Sequence, residues 1–262
     1  MKKMIVFFLL LALPIYAYHE FSSQFHVRNT QEILDYVKEL IVDNPVIIEC
    51  GAWNGDDTIQ LSETWPKGKI YAFEPIKEHF LNVLKRTASN PNIALYPVAL
   101  ADVNGELKFH LSDFQNNGVL GGSSSLLPPK EHFKFDHVVT FNKVITVPAT
   151  TLDDWAKKEN VNHIDFMWLD MQGFELNMLM NSQMLKKTKL IYMEVEFIEA
   201  YEKQYLYPEI KKWMERNGFM LIGLDFDEKI GMAGASVIKP GNGHPYYGNV
   251  LFLNREMIKN VQ

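Results

Sequence analysis

The sequence predicts a doubly wound α/β fold, a mostly parallel sheet with helices on both faces. Three observations point there. Short apolar runs alternate with helical patterns along the chain, the mark of a parallel sheet. One run, Val46-Ile47-Ile48-Glu49-Cys50, enters a turn that holds Gly51 and Gly55, and Asp56-Asp57-Thr58 then opens a helix. Three runs end on carboxylates, Glu49, Glu74 and Asp170. Ligands of such sheets sit beyond the carboxyl ends of the strands, so a shared ligand site is expected there.

The elements follow in order. Asn29-Thr30-Gln31-Glu32 resembles a capping box, and Ile33, Leu34, Val37, Leu40 and Ile41 behind it keep the helical period. Asn44-Pro45 stops that helix and launches the first strand. A helix from Thr58 to Trp65 ends at Pro66. The strand Lys69 to Glu74 is followed by Pro75 and a helix carrying Phe80, Leu81, Val83 and Leu84. Ile93 to Val98 reads as a third strand. Asn104-Gly105 turns into an alternating strand from Glu106 to Leu111, with one wet face. Asp113 to Pro129 reads as a long polar loop, a length that is usually functional in a compact domain.

Val144 to Val147 is a further strand, and Thr151 caps a helix that holds Trp155. The buried strand Ile164 to Asp170 leads through Gln172-Gly173 into a helix near Phe174 that runs past Met184. Leu190 to Glu196, Phe219 to Asp225 and Asn249 to Asn254 complete the strands, with a helix from Pro208 to Asn217 between the first two. Residues 227–248 are glycine-rich and without pattern.

Composition narrows the function. At 262 residues and 47% hydrophobic the chain suits one α/β domain with trimmings. A net charge of −6 argues against nucleic acid as a partner. The single cysteine, Cys50, excludes an intramolecular disulfide and a thiolate zinc cluster, and its place beside the glycine turn reads as a buried small side chain. His79, His110, His132, His137 and His163 show no ligand spacing, so no obligatory metal is predicted.

Residues 1–17 have the three-part layout of a secretory signal peptide. Met1-Lys2-Lys3 is basic, Met4 to Leu13 is apolar, and Pro14-Ile15-Tyr16-Ala17 precedes polar residues. The apolar run is short for a membrane span. The expectation is export, with the leader cleaved behind Ala17 or kept as an anchor, and membrane contact only through it. A cytoplasmic protein with an apolar N-terminal helix is the alternative. Residues 18–45 then form an N-terminal segment and helix, 46–255 the main domain, and 256–262 a tail.

The glycine turn is Gly51-x-x-x-Gly55, not the G-x-G-x-x-G that favours a dinucleotide pyrophosphate. Glu74 lies 23 residues beyond Gly51, the distance at which an acid grips ribose hydroxyls. S-adenosylmethionine (SAM) therefore fits better than NAD. Side chains at Gly51 or Gly55 are expected to occupy the ligand's space.

Taken together, these residues resemble the FkbM family of SAM-dependent methyltransferases. The matching pieces are Glu49 to Thr58, Tyr71-Ala72-Phe73-Glu74-Pro75, Val98 to Asp102 with Gly105, Ser123-Ser124-Ser125, Thr151-Leu152-Asp153-Asp154, and Asp165-Phe166 through Asp170 to Glu175. The resemblance implies a class I methyltransferase sheet, its antiparallel strand at Asn249 to Asn254. It implies methyl transfer, usually to oxygen, on a sugar, glycolipid, polyketide or related small-molecule or glycan acceptor.

It also implies that Glu49, Gly51, Ala52, Asn54 and Gly55 face the methionine end of SAM, with Thr58 close behind. Glu74 and Pro75 would meet the ribose, and Ala99 and Leu100 the adenine. The chain departs from the family pattern at Glu49 (usually Asp), Trp168 (often Lys) and Phe174 (often Ala), the last two expected beside the acceptor. Asp170 and Glu175 are the candidate bases for a hydroxyl acceptor. Glu175 also reads as a charge that favours a helix N-terminus. Two other functions fit the same fold: an exported, non-catalytic binding domain and a nicotinamide-dependent oxidoreductase.

Overall fold

The computed structural model describes residues 30–115, 118–134, 136–225 and 246–258. The leader, the capping residue Asn29, most of the glycine-rich stretch and the last four residues lie outside the described residues. Among the described residues no helix is long and apolar enough to cross a membrane.

The main sheet has seven strands. In chain order they are β1 (Val46–Cys50), β2 (Lys69–Phe73), β3 (Ile93–Tyr96), β8 (Ile164–Leu169), β9 (Thr188–Glu196), β10 (Phe219–Leu224) and β11 (Tyr247–Asn254). Their spatial order is β10-β11-β9-β8-β1-β2-β3. The chain switches direction between β1 and β8, which pair in parallel with Glu49 opposite Trp168. Only β11 runs against the rest, between β9 and β10. This is the class I methyltransferase sheet.

The helices cover both faces because the strands are apolar on both. Ile47, Phe166 and Leu190 pack with Ile33, Leu34 and Val37 of α1 (Thr30–Leu40) and Leu61 of α2 (Asp56–Thr64). On the same side, Ala72 meets Val83 of α3 (Lys77–Arg86). The next residues along the strands, Ile48, Met167 and Ile191, face the other way. They pack with Trp155 of α4 (Leu152–Glu159), Leu176 of α5 (Glu175–Leu179) and Ile210 of α6 (Tyr207–Arg216). A short α7 (Arg255–Ile258) follows β11.

A second sheet differs from the sequence reading. It has four strands in the order β4-β7-β5-β6: β4 (Ala99–Ala101), β5 (Gly105–Phe114), β6 (Val119–Leu120) and β7 (Val139–Thr151). Gly105 to Phe114 pairs antiparallel along nearly all of β7. The sequence marks only Val144 to Val147, because the flanking residues of β7 are largely polar and only pairing with β5 makes them strand. The expected loop from Asp113 to Pro129 is partly structured by β6 and by a bridge from His110 to Ser125. The expected long helix after Phe174 stops at Leu179, and Met184 belongs to a separate 3₁₀ turn, Gln183–Lys187. Asp153 produces that break: its carboxylate accepts from the Ser182 hydroxyl and from the Gln183 and Met184 amides.

Candidate active site

The two sheets flank a cleft at the carboxyl ends of β1, β2 and β8, open to solvent. Its floor is the turn after β1. The Gly51 and Ala52 amides both donate to the Phe73 carbonyl at 3.1 Å, which joins the ends of β1 and β2. Gly51 (φ 89°) and Gly55 (φ 85°) occupy the left-handed region, open to glycine at no steric cost.

Packing gives both glycines a reason of their own. A Cβ there would stand 2.0 Å from the Asp170 carbonyl oxygen, and one on Gly55 would stand 3.1 Å from Val83. The glycines let β1 close on β8 and α3.

Glu74 ends β2 with 4% of its surface exposed. Its Oε2 accepts from the Trp53 amide at 2.9 Å and its Oε1 from the Ile76 amide at 2.7 Å. Burial pushes its carboxyl up to about 7, and these two amides oppose the rise. His79 Nδ1 lies 3.8 Å from Oε1. The amide bond fixes Trp53 in the left-handed region (φ 42°), with its ring against Gly122.

Asp170 ends β8 across the cleft. Its Oδ1 accepts from Gln172 Nε2 at 2.7 Å. Desolvation by the surrounding protein raises its carboxyl to about 6, although solvent reaches one side of it, and the Gln172 amide opposes the rise.

Of the residues singled out by sequence, Gly51, Ala52, Asn54, Glu74, Pro75, Ala99, Leu100 and Asp170 line this cleft together. Glu49, Gly55, Thr58 and Glu175 do not. Glu49 is 1% exposed, and burial pushes it up to about 8. The Thr58 hydroxyl stands close enough to oppose that rise but outside hydrogen-bonding geometry. Neither Glu49 oxygen nor Thr58 Oγ1 has a partner among the described residues. Glu175 lies under the next turn, where its Oε1 accepts from the Met171 amide at 2.6 Å. It fixes the loop that carries Gln172 and is itself raised to about 8 by burial.

The two departures near the acceptor separate. Phe174 lines the cleft. Trp168 points to the opposite face, its ring 4.5 Å from that of Tyr192 in the core under α1. It does not sit beside an acceptor. Cys50 is buried, and its thiol is raised by that burial.

Trp53, inside the Glu49 to Thr58 stretch, also lines the cleft, as do His79, Phe109 and Ser124, which sequence reasoning did not assign to the ligand. Phe109 belongs to the second sheet, so no local signal marked it, and Ser124 stood out only as part of the serine run Ser123-Ser124-Ser125. That run is stapled down by Ser125, whose hydroxyl donates to the Gln172 carbonyl at 2.8 Å, and by Ser124, whose hydroxyl accepts from the Ser112 amide at 2.9 Å.

A second cavity of about 220 Å³, also open to solvent, lies beside the cleft, lined by Ser123, Asp136, Gln172, Glu194, Glu196 and Tyr247. Gln172 (φ 54°) holds the boundary. Its Nε2 donates to Asp170 on one side and to Glu194 Oε2, at 2.8 Å, on the other. Its Oε1 lies 2.8 Å from the Tyr201 hydroxyl.

Comparison with known proteins identifies the frame. The 2-O-methyltransferase NoeI of Sinorhizobium fredii (strain NBRC 101917 / NGR234) is 31% identical over 163 residues, which cover 62% of this chain and 67% of that protein. Among solved structures, the fibrillarin/Nop5p complex aligns with 82% of this chain and 74% of its own at 14% identity and a TM-score of 0.46. TrmK of M. capricolum with S-adenosylhomocysteine (SAH) aligns with 87% of this chain and 70% of its own, at 12% identity and a TM-score of 0.44. The methyltransferase FkbM domain matches residues 49–221, the β1 turn through β10. The chain therefore belongs to the FkbM methyltransferase family and is a SAM-dependent methyltransferase, which sets aside the oxidoreductase alternative.

Proposed function

We propose that the chain transfers the methyl group of SAM to a hydroxyl of a small, sugar-like acceptor in the cleft between Glu74 and Asp170. One observation carries the reading: two carboxylates end the parallel strands that flank β1 and its glycine turn, and both face one cleft. The acidic lining suits the group. Asp57, Glu74 and Asp170 stand in the wall, and no lysine or arginine does among the described residues. A cationic sulfonium gains from such surroundings and a polyanion does not. The 2-O-methyltransferase relative supports oxygen as the target.

When bound, SAM supplies an electrophilic methyl group on a good leaving sulfur. The chain supplies the rest. Glu74, already held by two backbone amides, has lone pairs left for ribose hydroxyls. Ala99 and Leu100 offer an apolar wall for the adenine. Asp170 takes the proton of the acceptor hydroxyl as oxygen displaces the sulfur, and Gln172 steadies its carboxylate. Phe174 and Trp53 narrow the cleft and exclude water, and orientation of this kind contributes several kcal/mol.

Incubation of the purified full chain with methyl-labelled SAM and a panel of mono- and disaccharides tests this. Label is expected in an alkali-stable ether on one class of sugar. Label confined to nitrogen, or no SAH formed with any hydroxyl acceptor while SAH still binds, overturns the hydroxyl assignment.

A further inference from the structure

The second cavity has a chemistry that methyl transfer to a simple sugar does not use. Glu194 and Glu196 are two apart on β9, so they share a face. Tyr247 pairs directly with Glu196 across β11 and lines the same cavity, as does Asp136 from the loop before β7. Glu194 has the Gln172 amide. Glu196 has less. It is 2% exposed, and its Oε2 lacks a hydrogen-bond partner among the described residues.

Gln204 stands beside Glu196 and eases its burial, but outside hydrogen-bonding geometry, since Gln204 Nε2 is also without a partner. A buried carboxylate with a free oxygen is costly unless a donor or a cation meets it. Burial and the neighbouring acids raise both glutamates well above the usual carboxylate range. A cation bound between them relieves that repulsion.

Gln172 lines the cavity and bonds Asp170 of the cleft. Gln172 Nε2 donates to both Asp170 and Glu194, so one amide nitrogen links a carboxylate of the cleft to one of the cavity. A ligand lying across that boundary needs a hydroxyl on one side and a positive group on the other, a few atoms apart.

We propose that the acidic cavity seats a protonated amine of the methyl acceptor, an amino sugar or comparable amino polyol, while a hydroxyl of the same molecule reaches Asp170. This rests on the methyl-transfer reading above and adds the acceptor's class to it. The carboxylates hold the amine as ammonium, which has no lone pair to take a methyl group. The amine anchors, and the neighbouring hydroxyl reacts.

Calorimetry on the full chain tests this with glucosamine, N-acetylglucosamine and glucose, each titrated with and without saturating SAH. Glucosamine is expected to bind at least about tenfold more tightly than the two neutral sugars, the scale of one hydrogen bond to a charged group. E196Q should remove that margin and leave SAH affinity unchanged. E194Q is the second variant, should E196Q fold poorly. Equal binding of the three sugars, including no binding by any, overturns the proposal, as does an E196Q protein that keeps the preference. The SAH titration reads the cleft separately. Loss of SAH binding would strike the methyl-transfer reading, while the amine preference measured without SAH stands or falls alone.

Discussion

The cleft and the acidic cavity are both walled by carboxylates, but the carboxylates do different things. In the cleft, Glu74 receives two backbone amides. Beneath it, Glu175 receives one. These acids fix turns, and in the proposed complex Glu74 meets the ribose with the lone pairs left over. In the cavity, Glu196 Oε2 has no hydrogen-bond partner among the described residues. An acid paired to backbone positions the chain, whereas Glu196, beside a cavity, is the one proposed to meet a positive group. Asp170 belongs to both regions through Gln172, which makes it the place to separate them.

The largest expected effect is there. Asp170→Asn keeps the shape and removes the base, so kcat should fall by about 10²–10⁴, with SAH affinity nearly unchanged. A general base works deprotonated. The wild-type rate should therefore climb with pH through about 6, the value to which Asp170 is raised, and the variant should lose that limb. A full pH limb in Asp170→Asn would move the base elsewhere.

Gly51 sharpens the comparison from the side of stability. Its Cβ would collide with backbone, whereas that of Gly55 would meet the movable Val83 side chain. Gly51→Ala should destabilise by about 3 kcal/mol or more in urea unfolding, and Gly55→Ala by about 1–2 kcal/mol. Equal costs would show that the β1–β8 closure is not what Gly51 serves.

Glu74→Ala comes next. It frees the Trp53 and Ile76 amides and removes the ribose acceptor, so SAH affinity should drop by about 1.5–3 kcal/mol in calorimetry. Glucosamine binding should hold, because the cavity lies on the other side of Gln172.

The smallest effect concerns Glu49. Its carboxyl is raised from 4.5 to about 8 in the fold. Between those values the unfolded chain has released its proton and the folded chain has not, so stability falls as pH rises through that window. Glu49→Gln should remove that slope, so thermal unfolding should shift up at pH 8 and by more there than at pH 4. No shift at pH 8, or a larger gain at pH 4 than at pH 8, would contradict the burial reading.

The same contrast explains what the sequence disclosed. β1, its glycine turn and Glu74 are legible because strand, turn and helix lie within 30 residues and carry their own punctuation. The parallel sheet follows from alternation alone. The second sheet does not, because β7 is strand only where β5 pairs with it. Register between distant segments leaves no local mark. Glu194 and Glu196 read as ordinary strand residues, since nothing nearby says that Asp136, Tyr247 and Gln172 gather around them. Trp168 misleads for a related reason. Neighbouring strand residues point to opposite faces, and which face meets the cleft is settled only by the packing of α1 on Tyr192 and Trp168.

The central claim is that SAM lies across the ends of β1 and β2, with its sulfur toward Asp170. A crystal structure of the full chain with SAH tests it most directly. The account predicts the ribose hydroxyls within hydrogen-bonding distance of the Glu74 carboxylate, the adenine against Ala99 and Leu100, and the sulfur on the Asp170 side of Gly51. SAH bound in the acidic cavity between Glu194 and Glu196, or away from Glu74 altogether, would contradict it.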